Sequence, residues 1–501
     1  MFPFNPIIKE EKMKRTFNII MAMALAGTLA GCKKSFLDIV PKRSQVAVTT
    51  TDYDLLMNSN ALYYYQAAGG LREFVLMGDE VAAESAYFGK QQSALAPRAF
   101  QWQGMIFESK DYVLDLQNQT GEMYTLNKVI NEVMGSAEGS EDQKKSIQAE
   151  AKTRRAMLNF LWTNIYGKPY LAATAGADPA FPLILEASST ANSFKRASVQ
   201  ASYDQIIKDL TEAIPNLPLQ AVTPTRVSRA AAEATLGKVY IFMGKYGDAV
   251  PMMKKAFDDV AAAAVHARLY DYNVELGPGG TFLPISSYSG PANGPGNNFN
   301  DLTQAVLSKV YQGGSYDGNG FENDGLVLTP AAAALFAPSD MRLLLYTNVD
   351  PNNMPNSGGR LRPYGLKYPR FGVELGEMYL LSAECKARTN DLAGAVADVE
   401  MLRKNRMPPA DATVPGAIAA DQTALIKFII EERIREFAFT GYRWFDLRRL
   451  SVDPLFAGAV YTHTLYDPSG NTVYTLKQPE RLVLQIPQLF IDANPGMVNN
   501  P

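Results

Sequence analysis

The sequence predicts a mostly α-helical protein: tetratricopeptide-like helix pairs forming a scaffold, with long irregular loops and a few short strands. Three observations predict it. Apolar residues recur at helical spacing in segment after segment. Residues 230–257 and 379–402 share the pattern of a helix-hairpin repeat. The stretch between them is rich in Gly, Pro and Asn, which makes turns rather than helices.

The chain has 501 residues, 47% hydrophobic and 20% charged, which is globular composition with room for a large core. Its net charge is −3, with no block of like charge. Nucleic-acid backbones demand clustered Lys and Arg, so they are excluded as partners.

At the N-terminus, Lys14-Arg15 precedes an apolar run over residues 17–29 and then Leu29-Ala30-Gly31-Cys32. A basic start, a short apolar stretch and small residues before a cut site define a secretory signal. The run falls short of the roughly 20 residues a membrane span needs. Its ending resembles a bacterial lipobox, which implies that residues 1–31 are removed and Cys32 carries lipid. Met13 is an alternative start. Residues 32–50 read as a tether, and residues 51–501 as a single domain with a loop-rich insertion at about 268–370.

Helical periodicity then marks residues 122–134 and 147–166, the second with Ala156, Leu158, Phe160, Leu161, Trp162 and Ile165 on a broad apolar face. An earlier helix, TDYDLLMNSNALYYYQAAG, places Tyr63, Tyr64 and Tyr65 in core packing. Residues 202–214 start with Ser202 as capping candidate and stop before Pro215. In the first repeat, Leu236, Gly237, Tyr240, Ala249 and Ala256 hold the spacing of a tetratricopeptide repeat, with Gly244 near the turn. Tyr379, Ala383, Ala395 and Leu402 echo it. The long insertion between the copies argues against a compact tandem array.

Catalytic patterns are sparse. There is no G-x-S-x-G elbow, no HExxH and no phosphate loop. His266 and His463 are the only histidines and lack ligand spacing, so a His-based metal site has little to be built from. With Cys32 lipidated, Cys385 has no disulfide partner and reads as a core thiol. Asp79-Glu80 and Asp111/Asp115 are the acid pairs a glycosidase could use, against a solvated face as the alternative. YDGNGFENDG offers oxygen ligands for calcium but departs from the EF-hand spacing, which favours a polar turn. No catalytic set, metal or cofactor is indicated.

The densest cluster is ALIKFIIEERIREFAFTGYRWFDLRRL, residues 424–450. Leu425, Ile426, Ile429, Ile430, Ile434 and Phe437 share one helix face, Glu431 and Arg435 are four apart, and Gly441 ends the helix. A second short helix buries Trp444, Phe445 and Leu447 and leaves Arg443, Asp446, Arg448 and Arg449 for ion pairs. Two readings follow: a packed helical corner with charged struts, or an anionic ligand site built by the arginines.

EERIREFAFTGYRWFDLRRL resembles the hallmark of the SusD/RagB family, nutrient-binding outer-membrane lipoproteins of glycan-uptake systems. CKKSFLD, AEAKTRRAMLNFLWTNIYGKPY, SYDQIIKDLTEAIPNLP, YPRFGVELGEMYLLSAECKARTNDLAGAVADVEMLRKNR and NPGMVNNP resemble its other segments in order, across nearly the whole mature chain. Thr440, Gln485, Phe490 and Asn499 depart from the usual residues. The resemblance implies four tetratricopeptide-like helix pairs and a ligand surface made by long loops. It further implies a cell-surface location, a SusC-like TonB-dependent outer-membrane barrel as partner, an oligosaccharide ligand and no catalysis. A surface hydrolase, or a binding lid for peptides or another non-sugar nutrient, are the alternatives. Sugars lie on aromatic rings and take hydrogen bonds from acids, amides and arginines. By composition, the candidate ligand contacts are Asp79, Trp102, Tyr288, Tyr311 and Tyr316.

Overall fold

The protein is described by a computed structural model, over residues 47–501 except 66–71, 89–94, 110, 112, 189, 191–192, 288, 299, 312–324, 351–353, 365–367 and 369. Cys32, the signal, most of the expected tether, Tyr288, Tyr316 and most of the calcium-like turn lie outside the described residues. The principal helices are α1 (Thr50–Met57), α2 (Leu114–Glu132), α3 (Glu141–Tyr166), α4 (Val199–Ala213), α5 (Arg229–Phe242), α6 (Tyr246–Ala262), α7 (Leu375–Arg388), α8 (Leu392–Lys404), α9 (Gln422–Phe437) and α10 (Tyr442–Leu450).

Short polar residues decide where these helices begin. Thr49 opens α1 with a capping box: its hydroxyl accepts from the Asp52 amide, and the Asp52 carboxylate accepts from the Thr49 amide. Ser140, Ser198 and Ser228 cap α3, α4 and α5. Capping of α4 thus falls to Ser198 rather than Ser202. Ser202 is 1% exposed inside the first turn, where its hydroxyl donates back to the Ser198 carbonyl.

The helices pack in sequence, α2 on α3, α3 on α4, α4 on α5, α5 on α6 and α7 on α8. The expected break between the two repeat copies does not exist in space. α6 packs directly on α7, and Ile241, Ala249, Met253, Leu381 and Cys385 form their shared core. The insertion leaves after α6 and returns the chain to the same place, so the array is continuous although the sequence is not. Within the α5–α6 hairpin Gly237 lets the helices approach closely: a Cβ there would lie 2.8 Å from Met253 Cε, and the methionine tip would have to move. Both hairpins turn through one left-handed residue, Gly244 at φ +71° and Asn390 at φ +68°.

A four-stranded sheet collects distant segments: β1 (Val81–Glu84), β2 (Leu326–Leu328), β3 (Thr462–Tyr466) and β4 (Thr472–Thr475), in the order β4-β3-β1-β2. β3 and β1 are parallel, and the other pairs are antiparallel. Beside it lies the largest core cluster, which includes Phe100, Trp102, Trp162 and Trp444. The tyrosine triplet is not helical. α1 stops at Met57, and Tyr64 and Tyr65 form a strand parallel to Val310 and Tyr311 of the insertion.

Candidate ligand-binding cavity

The 424–450 cluster folds as a corner of buried charges. The expected helix end at Gly441 is displaced: α9 ends at Phe437, and Gly441, at φ +88°, starts α10 instead. Arg433 and Arg449 each donate to Asp446 at 2.8 Å, and Arg449 also forks onto Glu384 at 2.7 and 2.8 Å. Glu432 accepts from Arg342, Arg403 and Arg435 at 2.6–2.9 Å. Arg443 forks onto Asp79, and Arg448 donates to the Asn164, Gly167 and Leu482 carbonyls. Each arginine of the corner is therefore committed to an acid or a carbonyl, and the charged-strut reading holds. Burial alone would raise Asp446 and Glu432. Arg433 and Arg449 instead hold Asp446 far below the usual range, and Arg342, Arg435 and Arg403 hold Glu432 at about 2.

Where the insertion meets this corner, it leaves a cavity of about 190 Å³. Tyr346, Tyr364 and Tyr368 of the insertion line it, with Phe437, Phe439 and Tyr442 of the α9–α10 turn. Phe437 stacks on Tyr442 at 4.7 Å between ring centroids, and Phe371 stacks on Tyr442 at 5.6 Å. Tyr364 is seated by Gly290, whose φ is +74°; a Cβ there would lie 2.5 Å from Tyr364 Cγ.

The polar lining includes Asn297, Gln304, Arg370 and Glu374. Gln304 accepts from Arg406 at 2.9 Å, and Arg370 donates to Ser308 Oγ and to the Asn298 carbonyl. Glu374 stands at the N-cap of α7, and its side chain makes no capping hydrogen bond. It is 9% exposed, and its Oε1 has no hydrogen-bond partner among the described residues. Burial pushes its carboxyl up to about 8, against the pull of Arg370. Buried polar atoms are rarely left unpaired.

A sequence model described as "SusD family" matches residues 365–501, and one described as "Starch-binding associating with outer membrane" matches residues 36–241. The chain belongs to the SusD family. No curated protein matches it. Among solved structures, a SusD superfamily protein from Bacteroides thetaiotaomicron is 17% identical, with 91% of this chain and 100% of that chain covered and a TM-score of 0.68. A SusD-like carbohydrate binding protein from Bacteroides vulgatus is 15% identical, covering 90% and 99%, with a TM-score of 0.61. A laminarin binding SusD-like protein is 18% identical, covering 91% and 99%, with a TM-score of 0.60. These neighbours share the fold.

In this SusD-family chain the contacts expected from composition are scattered. Trp102 is 3% exposed at φ +50°; its indole donates to the Met77 carbonyl at 3.1 Å and packs on His463, so no ring face is open. Asp79, paired with Arg443, borders a separate cleft of about 510 Å³ beside Leu335, Ile434 and Phe456. Tyr311 reaches the first segment of the fold through its backbone register with Tyr65. Tyr364, Tyr368, Arg370 and Glu374 went unread. The available signal was Glu374 itself, an acid bracketed by Phe371, Val373 and Leu375 where no solvated face was due.

Proposed function

We propose that the protein captures oligosaccharides at the cell surface and passes them to a SusC-like TonB-dependent outer-membrane transporter, without chemistry on the ligand. The lipid on Cys32 would hold it to the membrane. The reading rests on one observation above all: in a chain of a family described as starch-binding and outer-membrane-associated, the insertion closes an aromatic-lined cavity against the family's hallmark segment. Aromatic rings with a few polar neighbours are what a pyranose needs. Asp79, Tyr288, Tyr311 and Tyr316 are kept in the proposal as ligand contacts, joined by Tyr364 and Tyr368. Trp102 is omitted because its ring is enclosed.

The hydrolase alternative is weakened by its best acid pair. Asp79 is tied to Arg443, and Glu80 is 2% exposed, its carboxyl lying against Gly78. Calorimetry with starch and laminarin oligosaccharides and with peptides, followed by chromatography of the recovered glycan, tests the proposal. Binding with the glycan intact is expected. Shortened products, or binding to peptides alone, would overturn it.

A further inference from the structure

We propose that the cavity takes one pyranose unit of an uncharged saccharide, and that the Glu374 carboxyl, as an acid O–H, donates a hydrogen bond to one of its hydroxyl oxygens. This rests on the oligosaccharide reading above and names the ligand chemistry of that site. Size comes first. The cavity measures about 190 Å³, larger than the roughly 150 Å³ engineered cavity that accommodates benzene, so it has room for a ring. Its aromatic lining suits a ring's apolar face.

The polar chemistry then selects among rings. Glu374 lines this cavity at 9% exposure, and its Oε1 has no hydrogen-bond partner among the described residues. Its backbone pairs with Ala305 across a register shift between Val373 and Glu374, an irregularity of the kind that re-aims a side chain. An ionised carboxylate only accepts hydrogen bonds, whereas a protonated one also donates. The groups acting on Glu374 are Arg370, Asp301 and Glu377: burial outweighs the pull of Arg370, Asp301 and Glu377 add to it, and the carboxyl is pushed up to about 8. Tyr442 also feels it, and is itself raised well above the usual phenol range by burial.

The acid-paired guanidiniums of the lining offer an anionic ligand little charge. Arg342 is held by Asp340, Glu432 and Glu436, Arg435 by Glu432, and Arg370 by Ser308 and Asn298. A cationic ligand would meet a neutral acid with Arg370 nearby. A sugar hydroxyl, which both accepts and donates, completes the unpaired group at no cost in charge.

The full chain is titrated by calorimetry with malto- and laminari-oligosaccharides at pH 6.5 and pH 9. Wild-type affinity is expected to fall several-fold at the higher pH, as the donor proton is lost. Glu374→Ala should bind about tenfold more weakly at pH 6.5, the equivalent of one good hydrogen bond. Glu374→Gln, whose amide donates but does not titrate, should bind between the two with a flat pH profile. Circular dichroism confirms that the variants fold. An indifferent Glu374→Ala, a Glu374→Gln no better than Ala, or tighter binding of uronic-acid or amino-sugar oligomers overturns this proposal and leaves oligosaccharide capture standing. Absence of any glycan binding by the wild type overturns both.

Discussion

The His463 ring lies on the Trp102 indole, with centroids 3.7 Å apart and planes 19° from parallel. Phe100 stacks on the same imidazole at 4.5 Å, and the two ring nitrogens lie 2.6 and 2.7 Å from the Phe100 and Gly78 carbonyls. One cluster therefore pins β3 to the segments around Gly78 and Trp102. Trp102→Ala should cost about 3–5 kcal/mol of stability, the usual cost of emptying a buried aromatic site. Urea unfolding measures it. Trp102→Phe, which keeps a packed ring, should retain glycan affinity, and loss of affinity without loss of stability would mark Trp102 as a ligand contact after all.

The same histidine makes stability pH-dependent. Burial lowers His463 to about 4, from an ordinary value of 6.5, against the Phe100 and Gly78 carbonyls, which favour the charged ring. Between these values the unfolded chain binds a proton that the folded chain does not, so acidification favours unfolding. Its contribution is whole above pH 6.5 and is lost as the pH falls toward 4. Glu374 has the opposite sign in a higher window: its folded form keeps a proton that the unfolded form loses, so stability declines from pH 4.5 toward 8. Urea midpoints for His463→Gln should therefore vary less than wild type between pH 6.5 and 5. Those for Glu374→Gln should vary less between pH 5 and 8.

Glu432 is the acid on which three guanidiniums converge. Replacing it by Gln leaves Arg342, Arg403 and Arg435 with a buried charge deficit, at about 3–5 kcal/mol. Glu431, one residue earlier and 45% exposed, reaches Arg435 only at 3.9 Å. Glu431→Gln should shift stability by about 0.5 kcal/mol or less. Because Glu432 is held near 2, its contribution is full above pH 4.5 and fades only as the pH falls toward 2. Acid unfolding of the two variants, read by circular dichroism, separates the buried strut from the surface pair.

That contrast shows what the sequence carried. Periodicity located the helix faces, and small residues at Gly237, Ala249 and Ala256 marked the close hairpin, because local spacing reports local packing. The charged corner was legible as struts for the same reason. Contacts set by chain return were not. The packing of α6 on α7, and the pairing of Tyr65 with Tyr311, depend on where a long insertion comes back, and no local pattern encodes that. Trp102 read as a platform because it stands in irregular chain, whereas its ring is enclosed at 3% exposure. Glu374 escaped because its neighbours announce a helix start, and the cavity beside it joins residues of the insertion to the distant α9–α10 turn.

Gly290 tests whether the aromatic lining binds. It sits at φ +74° with the Tyr364 ring where a Cβ would go. Gly290→Ala is expected to strain the turn by about 1 kcal/mol and to displace Tyr364. Oligosaccharide affinity should drop several-fold. Gly247→Ala, in the first turn of α6 where a Cβ meets nothing within 4 Å, is the matched control. Equal affinity for both variants would remove Tyr364 from the site.

Cys32 links the binding domain to its proposed work. A lipid contributes about 0.8 kcal/mol per buried methylene, so several acyl chains give a stable anchor. The described fold is under way at Thr49, which caps α1, and the expected tether of residues 32–50 would lie between lipid and domain. A tether of that kind raises the local concentration of the domain over a transporter in the same membrane without adding a contact to the ligand. Cys32→Ala should therefore leave calorimetric glycan affinity unchanged while the protein moves from the membrane fraction to the soluble one. Uptake of the same glycan by cells should fall with it. A loss of intrinsic affinity would mean that the anchor segment touches the ligand, and continued membrane retention would mean that lipid on Cys32 is not what holds the protein there.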